Sequence, residues 1–239
     1  MRHLCLVQPR LSLLAIIVGA LALFLPGRAM AQDGPDAREI LKTVRVAQSA
    51  QNRTLNGQLR TGSKKIPFQL SMREGTARWQ FSEPLQTIVL RLGDDDATLE
   101  ETTPDGKHKV SGSKLNDPVR DSDITYEDLS LRFLYWKDAK VEGDQKILLT
   151  DSWQLLVQPP SAGSSSYSKV RLWIGKDNGA LLKAEAYGRD GKLARLFRVV
   201  SGQKLDDGLW ILKSMRIESM TSSRGDRTPT YLEISGVAK

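Results

Sequence analysis

Residues 66–81 read Ile-Pro-Phe-Gln-Leu-Ser-Met-Arg-Glu-Gly-Thr-Ala-Arg-Trp-Gln-Phe, and a two-residue alternation runs through them. Ile66, Phe68, Leu70 and Met72 alternate with Pro67, Gln69 and Ser71, then Ala77, Trp79 and Phe81 alternate with Arg78, Gln80 and Ser82. A period of two puts every second side chain on one face. The stretch therefore predicts two half-buried strands joined by the Arg73-Glu74-Gly75 turn. The same grammar returns at Ile88/Leu90/Leu92, Trp153/Leu155/Val157, Val170/Leu172/Ile174 and Ile211/Met215/Ile217, with turn signals at Asp105-Gly106, Asn178-Gly179, Asp190-Gly191 and Asp207-Gly208. Short strands joined by tight turns make an antiparallel meander, since a parallel sheet needs long helical crossovers. The expected fold is mainly β, closing as a sandwich, a barrel, or a half-open barrel whose mouth a helix covers.

Two segments break the alternation. Ahead of the first strand, Asp33-Gly34-Pro35 supplies a cap and an opening proline. Ala37, Ile40, Leu41, Val44 and Ala47 then recur at helical spacing, predicting an amphipathic helix over about 35–51. In the middle, Thr125 is a helix cap with Asp128 in the acidic position of a capping box, and Ile124 and Leu129 stand where a hydrophobic staple places its partners. Glu127 and Asp128 fall in the first turn, where the helix dipole favours negative charge. A short helix from Tyr126 is predicted, with Leu129, Phe133 and Trp136 on one face. Ser161 to Ser168 reads as a flexible loop.

The first 31 residues follow another logic. Arg2 and Arg10 precede an uncharged apolar run from Leu11 to Pro26, and Ala29-Met30-Ala31 stands ahead of Gln32. These are the parts of a secretory signal peptide with an A-x-A cleavage site. The run is shorter than the roughly 20 residues that cross a bilayer, so cleavage is expected rather than an uncleaved anchor. Cys5, the only cysteine, precedes the run. Neither a disulfide nor an acyl anchor is expected, and residues 32–239 are expected to form one domain outside the cytoplasm.

The chain carries a net charge of +7, and three of its arginines lie in the leader. The remaining basic residues are scattered, without the dense patch of a nucleic-acid binder. After cleavage His108 is the only histidine. It stands between Lys107 and Lys109 and reads as an exposed hairpin residue. No nucleophile, zinc-hydrolase, phosphate-loop or dinucleotide motif is present, so neither an enzyme nor a cofactor is expected. Asp94-Asp95-Asp96 reads as a solvated turn, with a hard cation as its functional alternative. A pair of acids working as a glycosidase stays open, because separation in space is invisible in sequence. The aromatics instead fall on strands and on the helix, and Trp79, Phe81, Leu90, Phe133, Trp136 and Trp173 are candidates to line an apolar cavity. Ordinary core packing is the competing reading for each.

Asp123-Ile124-Thr125-Tyr126-Glu127-Asp128-Leu129 resembles the D-[LFI]-[ST]-Y-E-D-[LI] run of LolA-like outer-membrane lipoprotein-sorting proteins. Supporting segments are Pro159-Pro160, Tyr167 to Ile174, and Ala184 to Gly191. The resemblance implies a periplasmic carrier with an unclosed antiparallel barrel, the N-terminal and internal helices serving as its lid. Its cargo would be acyl chains of lipoproteins or lipids, taken from an inner-membrane transporter and delivered to an outer-membrane acceptor. In the LolA branch an arginine precedes a tryptophan by six residues and a proline by eleven, as Arg73, Trp79 and Pro84 do here. The implied role of Arg73 is a latch on the lid's backbone carbonyls, although Glu74 stands where LolA has proline. The rival reading is an envelope interaction module, its barrel filled by its own side chains, that engages a partner through an open edge strand.

Overall fold

The computed structural model describes residues 35–49, 52–93, 97–147, 149–206, 208, 210–221 and 228–238. The leader, the Asp94-Asp95-Asp96 run and the Asp33-Gly34 cap lie outside the described residues. Helix α1 (Ala37–Ser49) leads into β1 (Arg53–Thr61), β2 (Lys64–Arg73), β3 (Thr76–Phe81), β4 (Gln86–Leu92), β5 (Ala97–Thr103) and β6 (Gly106–Val110). A non-strand segment holding α2 (Tyr126–Ser130) and a 3-10 turn (Arg132–Tyr135) follows. The chain continues through β7 (Asp138–Ile147), β8 (Thr150–Gln158), β9 (Tyr167–Gly175), β10 (Leu181–Gly188), β11 (Leu193–Lys204), β12 (Trp210–Ser219) and β13 (Thr230–Val237).

The thirteen strands form one antiparallel sheet in the order β6-β5-β4-β3-β2-β1-β13-β12-β11-β10-β9-β8-β7. The outermost strands, β6 and β7, are not paired with each other, so the sheet curls into a barrel that stays open along one side. The segment bearing α2 is the connection between those two edges, and its buried Ile124, Tyr126, Leu129, Phe133 and Leu134 belong to the same core as the strands. The half-open barrel with a helical cover is thus the observed architecture.

Register follows the alternation in the sequence. The β2–β3 hairpin pairs Arg73 with Thr76, leaving Glu74 and Gly75 as a two-residue loop. Both have positive φ, 45° and 69°, which is the twist that two-residue hairpin loops require. Pairings such as Leu70↔Trp79 and Ala77↔Leu90 stack the apolar sets of β2, β3 and β4 on the concave face. At Gly57 the sheet bends through a bulge, and a Cβ there would lie 2.6 Å from the Phe68 ring and 2.7 Å from the Glu233 carbonyl oxygen. Only glycine fits this approach.

Three expectations change. Helix α1 starts at Ala37, with Asp36 accepting a 2.9 Å hydrogen bond from the Arg38 amide; Ala37, Leu41 and Val44 form its buried stripe. The second helix does not run on to Trp136. Leu131 adopts a left-handed conformation (φ 47°, ψ 37°) that ends α2 and begins the 3-10 turn, so Leu129, Phe133 and Trp136 share a core without sharing a helix. The serine-rich loop is held in place as well, for reasons given next.

Candidate functional site

The Thr-Tyr-Glu-Asp run is a set of clamps. Thr125 and Asp128 form the expected capping box: the Thr125 Oγ1 accepts from the Asp128 amide at 3.2 Å, and the Asp128 carboxylate accepts from the Thr125 amide at 3.0 Å. Both acids of the first turn are nonetheless fully buried, which is costly unless every lone pair is engaged. Asp128 also accepts from the Tyr167 hydroxyl at the start of β9 and faces Arg195 Nε of β11 at 3.2 Å. Glu127 accepts from the Ser165 hydroxyl, the Ser166 hydroxyl (2.7 Å) and the Ser166 amide (3.1 Å). These bonds fix the loop that composition marked as flexible, and Ser165 is itself buried.

On the other side Tyr126 donates to Glu101 of β5, which also accepts from Gln86 of β4 (2.6 Å) and pairs with Lys114 at 2.6 Å. Helix α2 thus ties the β4–β5 half of the sheet to the β9–β11 half. The antiparallel alternation places Gln86, Glu101, Tyr167 and Arg195 at one common end of the barrel.

Burial pushes the Glu101 carboxyl up, but the hydrogen bonds from Lys114, Tyr126 and Gln86 outweigh it and hold the group below its usual range. A carboxyl lowered on folding stabilises the fold above its unfolded value of about 4.3, and that contribution is lost as pH falls through the folded value. Urea unfolding should therefore show stability falling below about pH 4.3 more steeply for the wild type than for Glu101→Gln, which has no proton to gain. Parallel slopes would contradict the assignment.

Toward the opposite end an apolar cavity of about 160 Å³ lies between the concave face and the lid. Leu55, Leu70, Met72, Ala77, Trp79, Leu90 and Leu92 form one wall, Ile211, Leu212, Leu232 and Ile234 another, and Leu129, Leu131 and Tyr135 the cover. Burial pushes the Tyr135 hydroxyl up to about 12. Arg73 and Gly75 lie at the rim. A larger groove of about 770 Å³ runs on the outer face along Asn56, Gln58, Gln69 and Gln80; its amides do not suit an apolar ligand.

A family model described as "-like: Uncharacterized protein" matches residues 105–237, over half of the chain, and the chain belongs to that family. No curated protein matches it. Three solved structures share the architecture, each 18% identical and each match covering 85% of this chain and 93% of the other. They are a domain described as an outer membrane lipoprotein-sorting protein from Vibrio parahaemolyticus (TM-score 0.67), a LolA superfamily protein from Nitrosomonas europaea (0.63) and a DUF1329 family protein from Desulfovibrio piger (0.59). The fold is LolA-like.

In this LolA-like fold two of the aromatic and aliphatic candidates, Trp79 and Leu90, stand in the cavity wall. Phe81 is on the same concave face but packs edge-on to Phe68 at 5.9 Å, below the cavity. Phe133 packs against Trp136 (6.5 Å) and Phe197 (5.5 Å) inside the core, so these two support the cover without facing the space. Trp173 is misplaced by the sequence reading. Val170, Leu172 and Ile174 point inward, which turns Trp173 to the outer face, where its Nε1 donates to Gln145 and Lys183 lies over its ring. On a regularly paired stretch such as Val170 to Gly175 of β9, adjacent side chains point to opposite faces.

Arg73 does not reach the lid: it is exposed at the rim, and among the described residues no hydrogen bond joins it to a lid carbonyl. The arginine that does so is Arg45 of α1. Its Nε donates to the Leu134 carbonyl at 2.7 Å and its Nη2 to the Trp136 carbonyl at 3.4 Å, with the guanidinium over the Tyr135 ring. Hydrogen bonds from a charged donor are worth about 1.5–3 kcal/mol. Arg45→Ala is expected to speed hydrogen exchange of the Leu134 and Trp136 amides about tenfold or more, measured against unchanged exchange in β9 and β10. Unaltered protection in the 3-10 turn would remove Arg45 from the role of latch.

Proposed function

We propose that the chain is a periplasmic carrier that shields acyl chains of a lipoprotein or lipid in the cavity beneath α2 and moves them toward the outer membrane without catalysing a reaction. The observation that carries this reading is an apolar space bounded by the concave sheet on one side and a separately latched cover on the other. An acyl chain gains about 0.8 kcal/mol per buried CH₂, so it crosses water only inside such a shield. The lipoprotein-sorting description of the Vibrio domain is consistent with that cargo. Exchange partners in this scheme are an inner-membrane transporter as donor and an outer-membrane acceptor, and the secretory leader supplies the compartment.

Volume sets a condition on the mechanism. A cavity of about 150 Å³ holds a molecule the size of benzene, and the one observed here is of that size. The structure therefore represents the closed form, and loading requires the cover to withdraw. The clamps at Glu127, Asp128 and Tyr126 hold α2 to both halves of the sheet, so the part that can withdraw without breaking them is the 3-10 turn beyond the Leu131 hinge, which requires Arg45 to let go and Phe133 and Leu134 to leave the core. Trp79 adds a polar element: its buried Nε1 has no hydrogen-bond partner among the described residues, and a lipid ester carbonyl would supply one.

The rival interaction module would need an accessible sheet edge. Strand β6 presents exposed Lys107, His108 and Lys109, and β7 carries Lys140, Glu142, Asp144 and Lys146 with a bulge between Val141 and Gly143. Charges and bulges blunt an edge against added strands. The deciding experiment is extraction and mass spectrometry of lipid co-purified with the protein from its own envelope. A stoichiometric acylated species is expected; an empty protein that also fails to take up a fluorescent fatty acid would transfer the function to the interaction module.

A further inference from the structure

The antiparallel order fixes which turns share an end of the barrel. The β2–β3, β7–β8, β9–β10 and β11–β12 turns and the end of β13 lie together, opposite the clamps on α2. This is also the cavity's rim, because Met72, Arg73, Gly75, Leu92 and Ile211 are residues at those strand ends. Three of the five large exposed apolar side chains among the described residues lie there. Leu149, in the β7–β8 turn, is 90% exposed and Trp210, which opens β12, is 63% exposed; Val237 closes β13 at 48%. Trp210 is the immediate neighbour of Ile211 in the cavity wall.

We propose that this end of the molecule docks onto the surface of a lipid bilayer, with Leu149 and Trp210 entering the interface so that the cavity rim faces the lipid it loads or unloads. The inference rests on the carrier reading and adds the surface at which exchange occurs. Leu149 and Trp210 project from separate turns with charged residues between them. Such isolated apolar points suit a fluid partner that closes around each one, whereas a protein interface has a contiguous packed core. Tryptophan is the side chain that settles at the headgroup level, apolar ring inward and N–H toward water. Each tip also has a lysine beside it: Lys204 pairs across from Trp210, and Lys146, which precedes the β7–β8 turn, lies 3.5 Å from the Asp151 carboxylate. A lysine stem extends along apolar surface while its ammonium stays with the headgroups. Leu149 also has φ 69°, a conformation that β-carbon-bearing residues rarely hold.

The test is flotation of the purified protein with protein-free vesicles of phosphatidylethanolamine and phosphatidylglycerol, run beside uptake of a fluorescent fatty acid from water. Trp210→Ser combined with Leu149→Ser should lower vesicle partitioning at least tenfold and leave fatty-acid uptake unchanged. Leu85→Ser, at an exposed residue of the opposite end, should change neither. A wild type that takes up fatty acid but never floats overturns the docking and leaves the carrier. Floating that the double variant abolishes, in a protein without uptake, upholds docking and removes the carrier. Equal loss on Leu85→Ser overturns the assignment of the surface. So does binding confined to native envelope vesicles, which would put a membrane protein in the bilayer's place.

Discussion

Asp128→Ala is expected to destabilise the domain by about 3–5 kcal/mol, the range for removing one partner of a buried ion pair. The reason lies in what is left behind. Arg195 has a side chain 14% exposed, and without Asp128 its guanidinium is a buried cation facing the Tyr167 hydroxyl. Burial opposes the charged form of Arg195, and only the Asp128 carboxylate together with Tyr167 and Asp123 outweighs it, so that its pKa stands above the usual value. The substitution also deletes the capping box and the Tyr167 acceptor. Tyr167→Phe removes only one bond of the set and should cost about 1–2 kcal/mol. Urea denaturation of the two variants gives the comparison; near-equal losses would mean that the pair with Arg195 contributes little. Because Leu129, the next residue of α2, belongs to the cavity cover, the variant that remains folded should show a loosened α2 and weaker fatty-acid binding.

The strands and turns were legible in the sequence because one face of each is buried, and a two-residue period leaves no freedom about which side chains go inside. The same logic exposed the capping box at Thr125 and Asp128, a purely local device. What sequence could not show is contact between distant segments. Glu127 and Asp128 read as dipole-favoured acids of the first turn, and nothing local showed that they are buried, because Ser165, Ser166, Tyr167 and Arg195 arrive from a loop and strands far along the chain. Trp173 was placed by residue type, whereas the neighbouring Val170, Leu172 and Ile174 already fixed its face. The latch followed a resemblance to Arg73, while Arg45, bordering the apolar stripe of α1 next to Val44, does the bonding. Its boundary position on an amphipathic helix was the available signal. The Ile211 and Leu212 wall carries no motif at all and comes from the curl of the sheet.

Ala77→Phe should leave the protein folded, and equally or more stable, while weakening fatty-acid binding roughly thirtyfold. Ala77 stands in the cavity wall opposite Leu90, and a phenyl ring there occupies space that is now empty rather than forcing apart packed atoms. Displacing about three methylenes at ~0.8 kcal/mol each removes about 2 kcal/mol of binding. Fluorescence titration with a fatty-acid probe measures it, and a variant that binds as the wild type does would place the ligand elsewhere.

The central claim is that an acyl chain lies between the concave sheet and the latched cover. A diazirine-bearing fatty acid, irradiated in the protein and mapped by peptide mass spectrometry, tests it most directly. The account predicts adducts on Leu55, Leu90, Leu129, Leu131 and Ile211, and their loss in Ala77→Phe. Adducts confined to the outer face around Asn56 and Gln80, or spread without preference and unchanged by Ala77→Phe, would contradict it.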